Sequence, residues 1–396
     1  MNPDFLKYQA QTSAHPLGLE VSRAEGSYVY DVHGKAYLDF VAGVSACSLG
    51  HCHPAVVEAV REQAGRYMHV MVYGEFALEP AVTLSRELAR ALPAPLESTY
   101  LVNSGTEAME GALKLARRVT GRTEIVAATD AYHGNTLGSL SLMSYEARKA
   151  PFRPLMPGVR HIRFNSLEDL ERIGAQTAAV VLETVQGGAG FILPQPGYLE
   201  AVRERCNQTG ALLILDEIQP GFGRTGKLFA FEHYGCVPDV VVMGKGMASG
   251  LPIGAFTASK AHMDSLSSPK LGHITTFGGN PVVAAAALAT LRELLGTGLM
   301  EESLEKEALF RQLLVHPLIE EVRGKGLMLT LIVPEAALAD YLVLGALKEG
   351  LLLFWLLFEP RAVRISPPLT LSEAEIREGC GLILDLLESY PGTPVN

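Results

Sequence analysis

Five runs of apolar residues alternate with stretches of helical periodicity through the middle of the chain. Runs that are apolar at nearly every position are typical of strands that helices cover on both faces of a parallel sheet. We therefore predict an α/β fold with a mainly parallel sheet flanked by helices. The predicted strands are STYLVN (98–103), TEIVAAT (123–129), AAVVLET (178–184), ALLILDE (211–217) and DVVVMGK (239–245).

The two ends of the chain follow a different pattern. GSYVYDVHGKAYLDFVAG (26–43) alternates apolar and polar residues around a DVHG turn, which predicts a β-hairpin. After NPVVAAAALATLRELL (280–295), helices are mixed with short strands. We predict a second, smaller α+β domain to which the hairpin returns. Its N-terminal part is residues 1–53, the large domain is 54–285, and the C-terminal part is 286–396.

Composition and charge narrow the function classes. The chain has 396 residues, of which 48% are hydrophobic and 19% charged, the balance of a soluble globular protein. A net charge of -10 argues against a partner that is a nucleic acid. The start, MNPDFLKYQA, is unlike a secretory signal, and the most apolar run, LLLFWLLF (351–358), is too short to span a bilayer. We expect a cytoplasmic enzyme or binding protein without a membrane partner.

The five cysteines do not predict a disulfide framework, because their number is odd and no signal peptide accompanies them. CSLGHCHP (47–54) brings two cysteines and two histidines close together, which raises the possibility of a metal site. Zinc-like spacing is missing, and Cys52 and His53 are adjacent, which suits a tetrahedral site poorly. A structural role is the better interpretation, and we predict no metal.

The residues that follow the strands matter most, because ligands of open α/β sheets collect at the carboxyl ends of the strands. NSGTEA (103–108) follows the first strand and leads into a helix. Such a turn presents free N–H groups and a positive helix end to a phosphate. The same residues are equally consistent with an ordinary helix N-terminus that binds no ligand. In that case Ser104 or Thr106 is the N-cap, and the negative charge of Glu107 complements the helix dipole.

Two further strand ends carry an acid and a lysine. Asp216 follows five apolar residues, so its carboxylate needs a partner. Magnesium is disfavoured because the chain has no nucleotide-binding P-loop, and a cationic heterocycle nitrogen fits better. Lys245 lies among small residues. Considered without the other motifs, it is most simply a surface lysine. In an apolar pocket its pKa would be lowered, and its amine would be a nucleophile. Together, the phosphate-binding turn, the acid and the lysine match the phosphate, the ring nitrogen and the aldehyde of pyridoxal phosphate.

Long motifs then show a resemblance that covers nearly the whole chain. The motifs, and their order along the chain, resemble those of the class III (subgroup II) pyridoxal-phosphate aminotransferases, most closely the acetylornithine and ornithine branch. That resemblance implies a fold type I transferase and a structural role for GHCHP. The motifs are LVNSGTEAMEGALKLAR, AYHGNTLG, LETVQGGAGF, LILDEIQPGFGRTGKLFAFEHYG, PDVVVMGKGMASGLPIGA, TTFGGNP and AVRISPPL.

The resemblance also implies roles for single residues. Lys245 would bind the cofactor aldehyde and shuttle a proton, and Asp216 would keep the pyridine nitrogen protonated. Tyr132 would stack on the ring. Thr276 would reach the phosphate from the other subunit, which implies an obligate homodimer. The other residues placed at the cofactor are Ser104, Gly105 and Thr106 at the phosphate, Gln219 and Glu183 near the phenolic oxygen, and Ile218.

Arg364 in AVRISPPL would bind the substrate carboxylate, for which a guanidinium is well shaped. Two departures from the resemblance affect the substrate. Gly188 stands where ornithine-type members carry an acid that pairs with this arginine, so Arg364 is expected to stay an open cation. Asn135 stands where they carry an arginine for the distant carboxylate, and Glu75 or Arg153 could replace that contact.

These features predict an aminotransferase of amino-acid metabolism. It would move an amino group from an acetylornithine-like, ornithine-like or related donor to a 2-oxo acid such as 2-oxoglutarate. An ω-amino acid:pyruvate aminotransferase, or an aminomutase or decarboxylase on the same fold, stays an alternative. A regulatory module that only binds the cofactor is disfavoured, because no helix-turn-helix extension is evident.

Overall fold

The computed structural model describes residues 1–392, which form three β-sheets surrounded by helices. The strands are β1 Val21–Glu25, β2 Tyr28–Asp31, β3 Ala36–Asp39, β4 Ser98–Val102, β5 Glu124–Ala128, β6 Val159–Ile162, β7 Thr177–Glu183, β8 Leu212–Asp216, β9 Val240–Met243, β10 Gly254–Ala258, β11 Glu321–Lys325, β12 Met328–Ile332, β13 Leu351–Leu352, β14 Phe354–Trp355 and β15 Ala362–Ile365.

The helices are α1 Pro3–Tyr8, α2 Ala42–Ser45, α3 Pro54–Arg66, α4 Glu79–Ala91, α5 Gly105–Thr120, α6 Leu137–Ser141, α7 Glu146–Lys149, α8 Tyr198–Thr209, α9 Lys260–Asp264, α10 Pro281–Gly296, α11 Leu299–Leu313, α12 Ala336–Glu349 and α13 Glu373–Glu388. The shortest of them, α2, is a left-handed turn, because all four of its residues have φ angles between 48° and 64°.

The large sheet has the strand order β4-β10-β9-β8-β7-β5-β6. The pairs β9/β8, β8/β7, β7/β5 and β5/β6 are parallel, whereas β10 runs antiparallel to both of its neighbours. The prediction of a mainly parallel sheet is confirmed, and all five predicted strands are present. Strands β6 and β10 were not predicted; the run GAFTA of β10 is short and rich in small residues.

The centre of this sheet is buried on both faces. Every residue of β7, β8, β9 and β10 is buried, which explains why these segments are so uniformly apolar. Helix α5 packs closely on the sheet at Gly111. A Cβ atom there would lie 2.3 Å from the ring of Phe256 in β10, so only glycine allows this approach.

Both ends of the chain contribute to the smaller sheets. Strands β1, β2 and β3 form an antiparallel meander, and β13 adds to it in parallel with β3. The predicted hairpin is therefore present and pairs with a strand from residues 351–352. The third sheet, β11-β12-β15-β14, is antiparallel. The domain boundaries at 53/54 and 285/286 stay a prediction, and residues 393–396 of the last segment lie outside the described residues.

Within residues 1–392, no single helix has the length and apolar character needed to cross a bilayer. Only α10 and α11 taken together meet the criteria of length and composition, and these two helices are bent by 70°. Eight residues of α10, including Ala284, Ala287 and Leu291, are buried in the core of the protein.

Candidate active site

A cavity of about 450 Å³ lies where the carboxyl ends of β7, β8 and β9 meet the beginning of α5. It collects most of the predicted site residues from distant parts of the chain. Its lining is Val44, Gly105, Thr106, Tyr132, His133, Gly134, Asn135, Glu183, Val185, Gly187, Gly188, Asp216, Ile218, Gln219, Pro220, Lys245, Phe354, Trp355, Leu357 and Arg364. This position is the one expected for a ligand of an open α/β sheet.

Asp216 ends the buried strand β8 and is held from two sides. Its Oδ2 lies 2.8 Å from Nδ1 of His133, and its Oδ1 accepts a hydrogen bond of 3.0 Å from the backbone N–H of Ile218. Burial by itself would lower the pKa of His133, but the hydrogen bond and charge of Asp216, with the charge of Glu183, outweigh it and raise that pKa. His133 therefore orients the carboxylate.

Glu183 ends β7 and lies directly beside Asp216 in the register of the two strands. Its carboxylate accepts hydrogen bonds from the backbone N–H groups of Tyr132 at 2.8 Å and Gly187 at 2.6 Å. Burial raises the pKa of Glu183 to about 7. This acid fixes the loop that carries Tyr132, which lines the cavity.

Lys245 follows β9 after Gly244 and begins a short 3-10 turn that ends at Ala248. Its φ angle is 43°, a conformation that non-glycine residues rarely adopt. Burial lowers the pKa of the Lys245 ammonium. A lysine held in this way exposes a neutral, nucleophilic amine to the cavity at a lower pH than a surface lysine would.

The beginning of α5 combines the two roles that the sequence left open. Ser104 is the N-cap, and its Oγ accepts a hydrogen bond of 3.3 Å from the N–H of Glu107. Thr106 instead bonds Thr136 and Ser139 through its hydroxyl, at 2.8 and 2.7 Å. Gly105 and Thr106 line the cavity and Ser104 does not. The positive end of a helix of 16 residues therefore faces the cavity.

Arg364 lies on β15, whose four residues are all buried. Its guanidinium is 5.3 Å from the ring centre of Phe191, and its Nε and Nη1 atoms are buried without a hydrogen-bond partner. Burial lowers the pKa of Arg364 to about 10. A buried cation with unused donors attracts an anion into the cavity.

Comparison with known proteins identifies the family. The sequence profile described as "Aminotransferase class-III" matches residues 8–387. The chain belongs to the class-III aminotransferases. It is 41% identical to the acetylornithine aminotransferase of Mycobacterium bovis over 393 residues, and the alignment covers 95% of this chain and 93% of the relative. It is 39% identical over 379 residues to that of Caldanaerobacter subterraneus, which covers 92% and 93%.

Solved structures give the same assignment for this class-III aminotransferase. The ornithine aminotransferase of Toxoplasma gondii superposes with a TM-score of 0.91 at 31% identity, covering 97% of this chain and 93% of that one. An (S)-enantioselective omega-transaminase from Thermomicrobium roseum gives 0.89 at 33% identity, covering 97% of both chains. The predicted fold type I architecture and the predicted class of enzyme, a pyridoxal-phosphate-dependent aminotransferase, are confirmed.

The cavity of this aminotransferase fits pyridoxal phosphate. Gln219 has a buried Nε2 with no partner within the protein, as expected of a donor that awaits an oxygen of a ligand. At Gly105 a Cβ atom would lie 2.7 Å from Ile218, so a glycine keeps the helix end next to that side chain and open to a phosphate. Asp216, Lys245 and the N-terminus of α5 thus surround the same cavity.

Four further residues considered from the sequence lie elsewhere or are packed differently. Arg153 makes a two-pronged ion pair with Glu146, and both distances are 2.8 Å. Neither Arg153 nor the exposed Glu75 lines the cavity of its own chain. Thr276 is also outside this cavity and lies 3.3 Å from the hydroxyl of Tyr73. Gly188 does line it, and a Cβ atom there would lie 2.8 Å from the ring of Phe358.

Sequence reasoning missed several lining residues. His133 is one of them, and its position directly after Tyr132, the residue proposed to stack on the ring, is the sequence signal that could have indicated it. Phe354, Trp355 and Leu357 also line the cavity, and in the sequence they are part of the apolar run 351–358. Val44 reaches the cavity through the left-handed turn α2, which Asp39 holds by accepting hydrogen bonds from the N–H groups of Val41 and Ala42.

The segment CSLGHCHP contacts Asp39, the residue that holds the turn α2. Nε2 of His51 lies 2.8 Å from Oδ2 of Asp39, and the backbone of His51 forms a β-bridge with Gly26. Within residues 1–392, no group of three or more histidine, cysteine or acidic side chains is arranged to hold a metal ion.

Proposed function

We propose that this aminotransferase moves an amino group between an amino acid and a 2-oxo acid, and that Arg364 binds the carboxylate of both. The observation that supports this most directly is the pair of unused donors, Nε and Nη1, on a buried guanidinium. The same cavity contains Lys245 and Asp216. A carboxylate bound at Arg364 would thus be held beside the reactive amine.

The cofactor would be held at three points. The N–H groups at the start of α5, with Gly105 and Thr106, would bind the phosphate, and Ser104 would support them as the N-cap. Tyr132 and Ile218 would contact the ring. Gln219 would donate to the phenolic oxygen, and Glu183 would keep the neighbouring loop in place. Each assignment uses a side chain or N–H group that borders the cavity or supports its rim.

When bound, pyridoxal phosphate supplies an aldehyde for the amino group and an electron-withdrawing ring. Asp216, oriented by His133, would place a negative charge that holds a proton on the ring nitrogen. Lys245 would take the proton from the carbon that bears the substrate amine and return one on the way to product. Its lowered pKa favours the neutral amine that this step requires.

The relatives suggest the first donor to test. Two of them are acetylornithine aminotransferases, so acetylornithine, with ornithine as a variant, is the starting donor in an amino-acid pathway, and 2-oxoglutarate is the starting acceptor. Gly188 leaves Arg364 without the acid that could neutralise it. Within the described chain Arg364 forms no ion pair, which favours a carboxylate substrate in both half-reactions.

We further propose that the enzyme is a homodimer, with Thr276 completing the phosphate site of the partner. Thr276 belongs to a surface on which segments 68–76 and 274–280 meet. The ring of His69 lies 4.9 Å from that of Phe277 at a tilt of 48°, and Asn280 donates to the backbone oxygen of Met68. Large apolar side chains are exposed on these segments, namely Met68, Met71, Phe76, Ile274 and Phe277. A second copy would cover them.

A crossed panel tests the reaction. Amino donors are combined with pyruvate or 2-oxoglutarate, and the absorbance of the bound cofactor is followed. Turnover that requires an added 2-oxo acid supports transfer, whereas turnover of an amino acid alone indicates an aminomutase or a decarboxylase. Sedimentation of the wild type and of Phe277→Asp tests the dimer, since a monomeric wild type would contradict it.

A further inference from the structure

Arg148 lies beside the active-site cavity and has no role in the cofactor contacts proposed above. It belongs to the short helix α7 and is exposed, and its guanidinium carbon is 5.8 Å from the ring centre of Phe358. The same ring is next to Gly188, where a Cβ atom would lie 2.8 Å from it. Because Gly188 lines the cavity, a single aromatic ring contacts both the cavity wall and the guanidinium.

A second residue of the cavity lining, Tyr132, is affected by the charge of Arg148. Burial and the negative charge of Asp216 raise the pKa of the Tyr132 hydroxyl, and the positive charge of Arg148 opposes this rise. Tyr132 follows β5 and Gly188 follows β7, two strands that pair in the large sheet. Two lining residues from different loops therefore place Arg148 at the rim of the cavity.

The base of the Arg148 side chain is fixed in position. The next residue, Lys149, is buried, and its Nζ donates a hydrogen bond of 2.7 Å to the backbone oxygen of Met143. Tyr145, the residue before α7, has its ring centre 5.7 Å from that of Phe358. Helix α7 is thus attached to the protein on both sides of Arg148, and the long side chain extends from a fixed backbone.

The charge of Arg148 is not used by the acid of its own helix. That acid, Glu146, binds Arg153 through two hydrogen bonds of 2.8 Å. A guanidinium can contact an aromatic ring with its flat face and still donate two parallel hydrogen bonds from its edge. Arg148 therefore offers N–H donors and a positive charge to a ligand that extends toward the rim.

We infer that Arg148 determines specificity by binding a hydrogen-bond acceptor at the far end of the substrate. This acceptor is the second carboxylate of a dicarboxylic acid such as 2-oxoglutarate, or the amide oxygen of an acylated diamino acid such as acetylornithine. The inference rests on the proposed function, since it assumes that Arg364 binds the first carboxylate. The substrate would then extend from Arg364 past Tyr132 to the rim.

Binding of unreactive ligands to the holoenzyme tests this role independently of turnover. Pentanoate, glutaramate and glutarate share five carbons and a carboxylate for Arg364, and their distal groups are a methyl, an amide and a carboxylate. Trp355 is the only tryptophan of the chain and lines the cavity, so its fluorescence reports occupancy. Arg148→Gln should weaken glutarate binding by about fivefold, as expected for an ion pair near the surface. Glutaramate should lose less, and pentanoate should be unchanged.

Two further variants and a salt titration control this measurement. Arg148→Lys keeps the charge without the two-pronged geometry, so its affinity for glutarate should be intermediate. Arg377→Gln is the matched control, because Arg377 is 56% exposed on α13 and does not line the cavity. In the wild type, about 1 M salt should lower the ratio of glutarate to pentanoate affinity by screening the exposed charge. In Arg148→Gln this ratio should depend less on salt.

The outcomes separate the role of Arg148 from the reaction. No saturable binding of glutarate by the wild type, or an equal loss in Arg377→Gln, would overturn the inference. So would an unchanged affinity ratio in Arg148→Gln, which would mean that another cation, in this chain or in a second copy, holds the distal group. A KM that rises for 2-oxoglutarate but not for pyruvate in Arg148→Gln supports it. If the affinity ratio depends on Arg148 but no pair of amino acid and 2-oxo acid turns over, this binding site stands and the proposed reaction fails.

Discussion

His133 and Asp216 form a buried pair at the cavity: Nδ1 of the imidazole lies 2.8 Å from Oδ2 of the carboxylate, and both side chains are 5% exposed or less. The histidine lies in the loop after β5, whereas the acid ends β8. Their contact means that the carboxylate proposed to face the cofactor ring nitrogen has one oxygen already fixed by the protein.

Replacing Asp216 by Asn should keep the shape of the site and remove the charge that holds the ring proton. We expect kcat to fall by at least about 100-fold, since electrostatic stabilisation in a dry site is worth that much, and the thermal midpoint to change little. Steady-state kinetics and thermal unfolding measure the two quantities. Rates near those of the wild type would refute the role of Asp216.

His133→Asn is the companion variant, because it retains a hydrogen-bond donor but cannot carry a charge. A smaller loss, with a shifted pH profile of the cofactor absorbance, would indicate a positioning role. An unchanged profile would show that His133 only fills space.

Lys245→Ala should abolish turnover and leave a protein that binds the cofactor without a covalent bond. We expect kcat to fall by about 10²–10⁴-fold or more, the range for loss of a general base. Borohydride treatment followed by mass spectrometry checks the covalent link, which should be present in the wild type and absent in the variant. Lys260→Ala, at an exposed lysine after β10, is the control. A labelled Lys245→Ala protein would show that another lysine reacts.

Arg364→Ala should raise the KM of every carboxylate substrate. A hydrogen bond to a charged group contributes about 1.5–3 kcal/mol, so the increase should be about 10-fold to 150-fold. Arg364→Lys keeps the charge but loses the two-pronged geometry, and an intermediate KM is expected. Kinetics with an amine that lacks a carboxylate should be affected least. Equal losses for both kinds of substrate would mean that Arg364 serves the fold.

Gly188→Glu should destabilise the protein, because the new Cβ atom would lie 2.8 Å from the ring of Phe358. Overpacking of this kind costs about 1–3 kcal/mol, which urea unfolding can measure. The pair Gly188→Glu with Phe358→Ala makes room and should recover stability. In that double variant the new acid is expected to pair with Arg364, raising the KM of α-amino acids and favouring terminal amines. An unchanged donor ranking would mean that position 188 does not control Arg364.

The ion pair of His51 with Asp39 should make stability depend on pH. The hydrogen bond to Asp39, with a smaller contribution from Cys47, raises the pKa of His51 from 6.5 to about 10. Folding therefore favours the protonated ring, so the pair stabilises the fold below about pH 6.5 and this contribution is lost as the pH rises toward 10.

Urea unfolding at pH 6 and pH 9 measures this contribution. The free energy of unfolding should fall less between the two values in His51→Gln than in the wild type. His15→Gln, at an exposed histidine, should behave like the wild type. A fall of the same size in all three proteins would show that the pair does not contribute.

The sequence by itself determined the fold class and predicted most of the residues that line the cavity proposed to hold the cofactor. Uniformly apolar strands can only be stable inside a covered sheet, and polar residues at their carboxyl ends are forced to one edge of it. Asp216, Glu183 and Lys245 therefore had to lie close together. The long ordered motifs added the family, which the comparisons confirm.

Tertiary structure alone decided the side of the cavity around Arg364, where we propose that the substrate binds. Phe354 meets Arg364 through the pairing of β14 with β15, and Val44 arrives through a left-handed turn that Asp39 supports. Phe358 fills the space beside Gly188 because the chain returns there from α12. Gly188 and Phe358 are more than a hundred positions apart, and local periodicity and spacing carry no information about such packing.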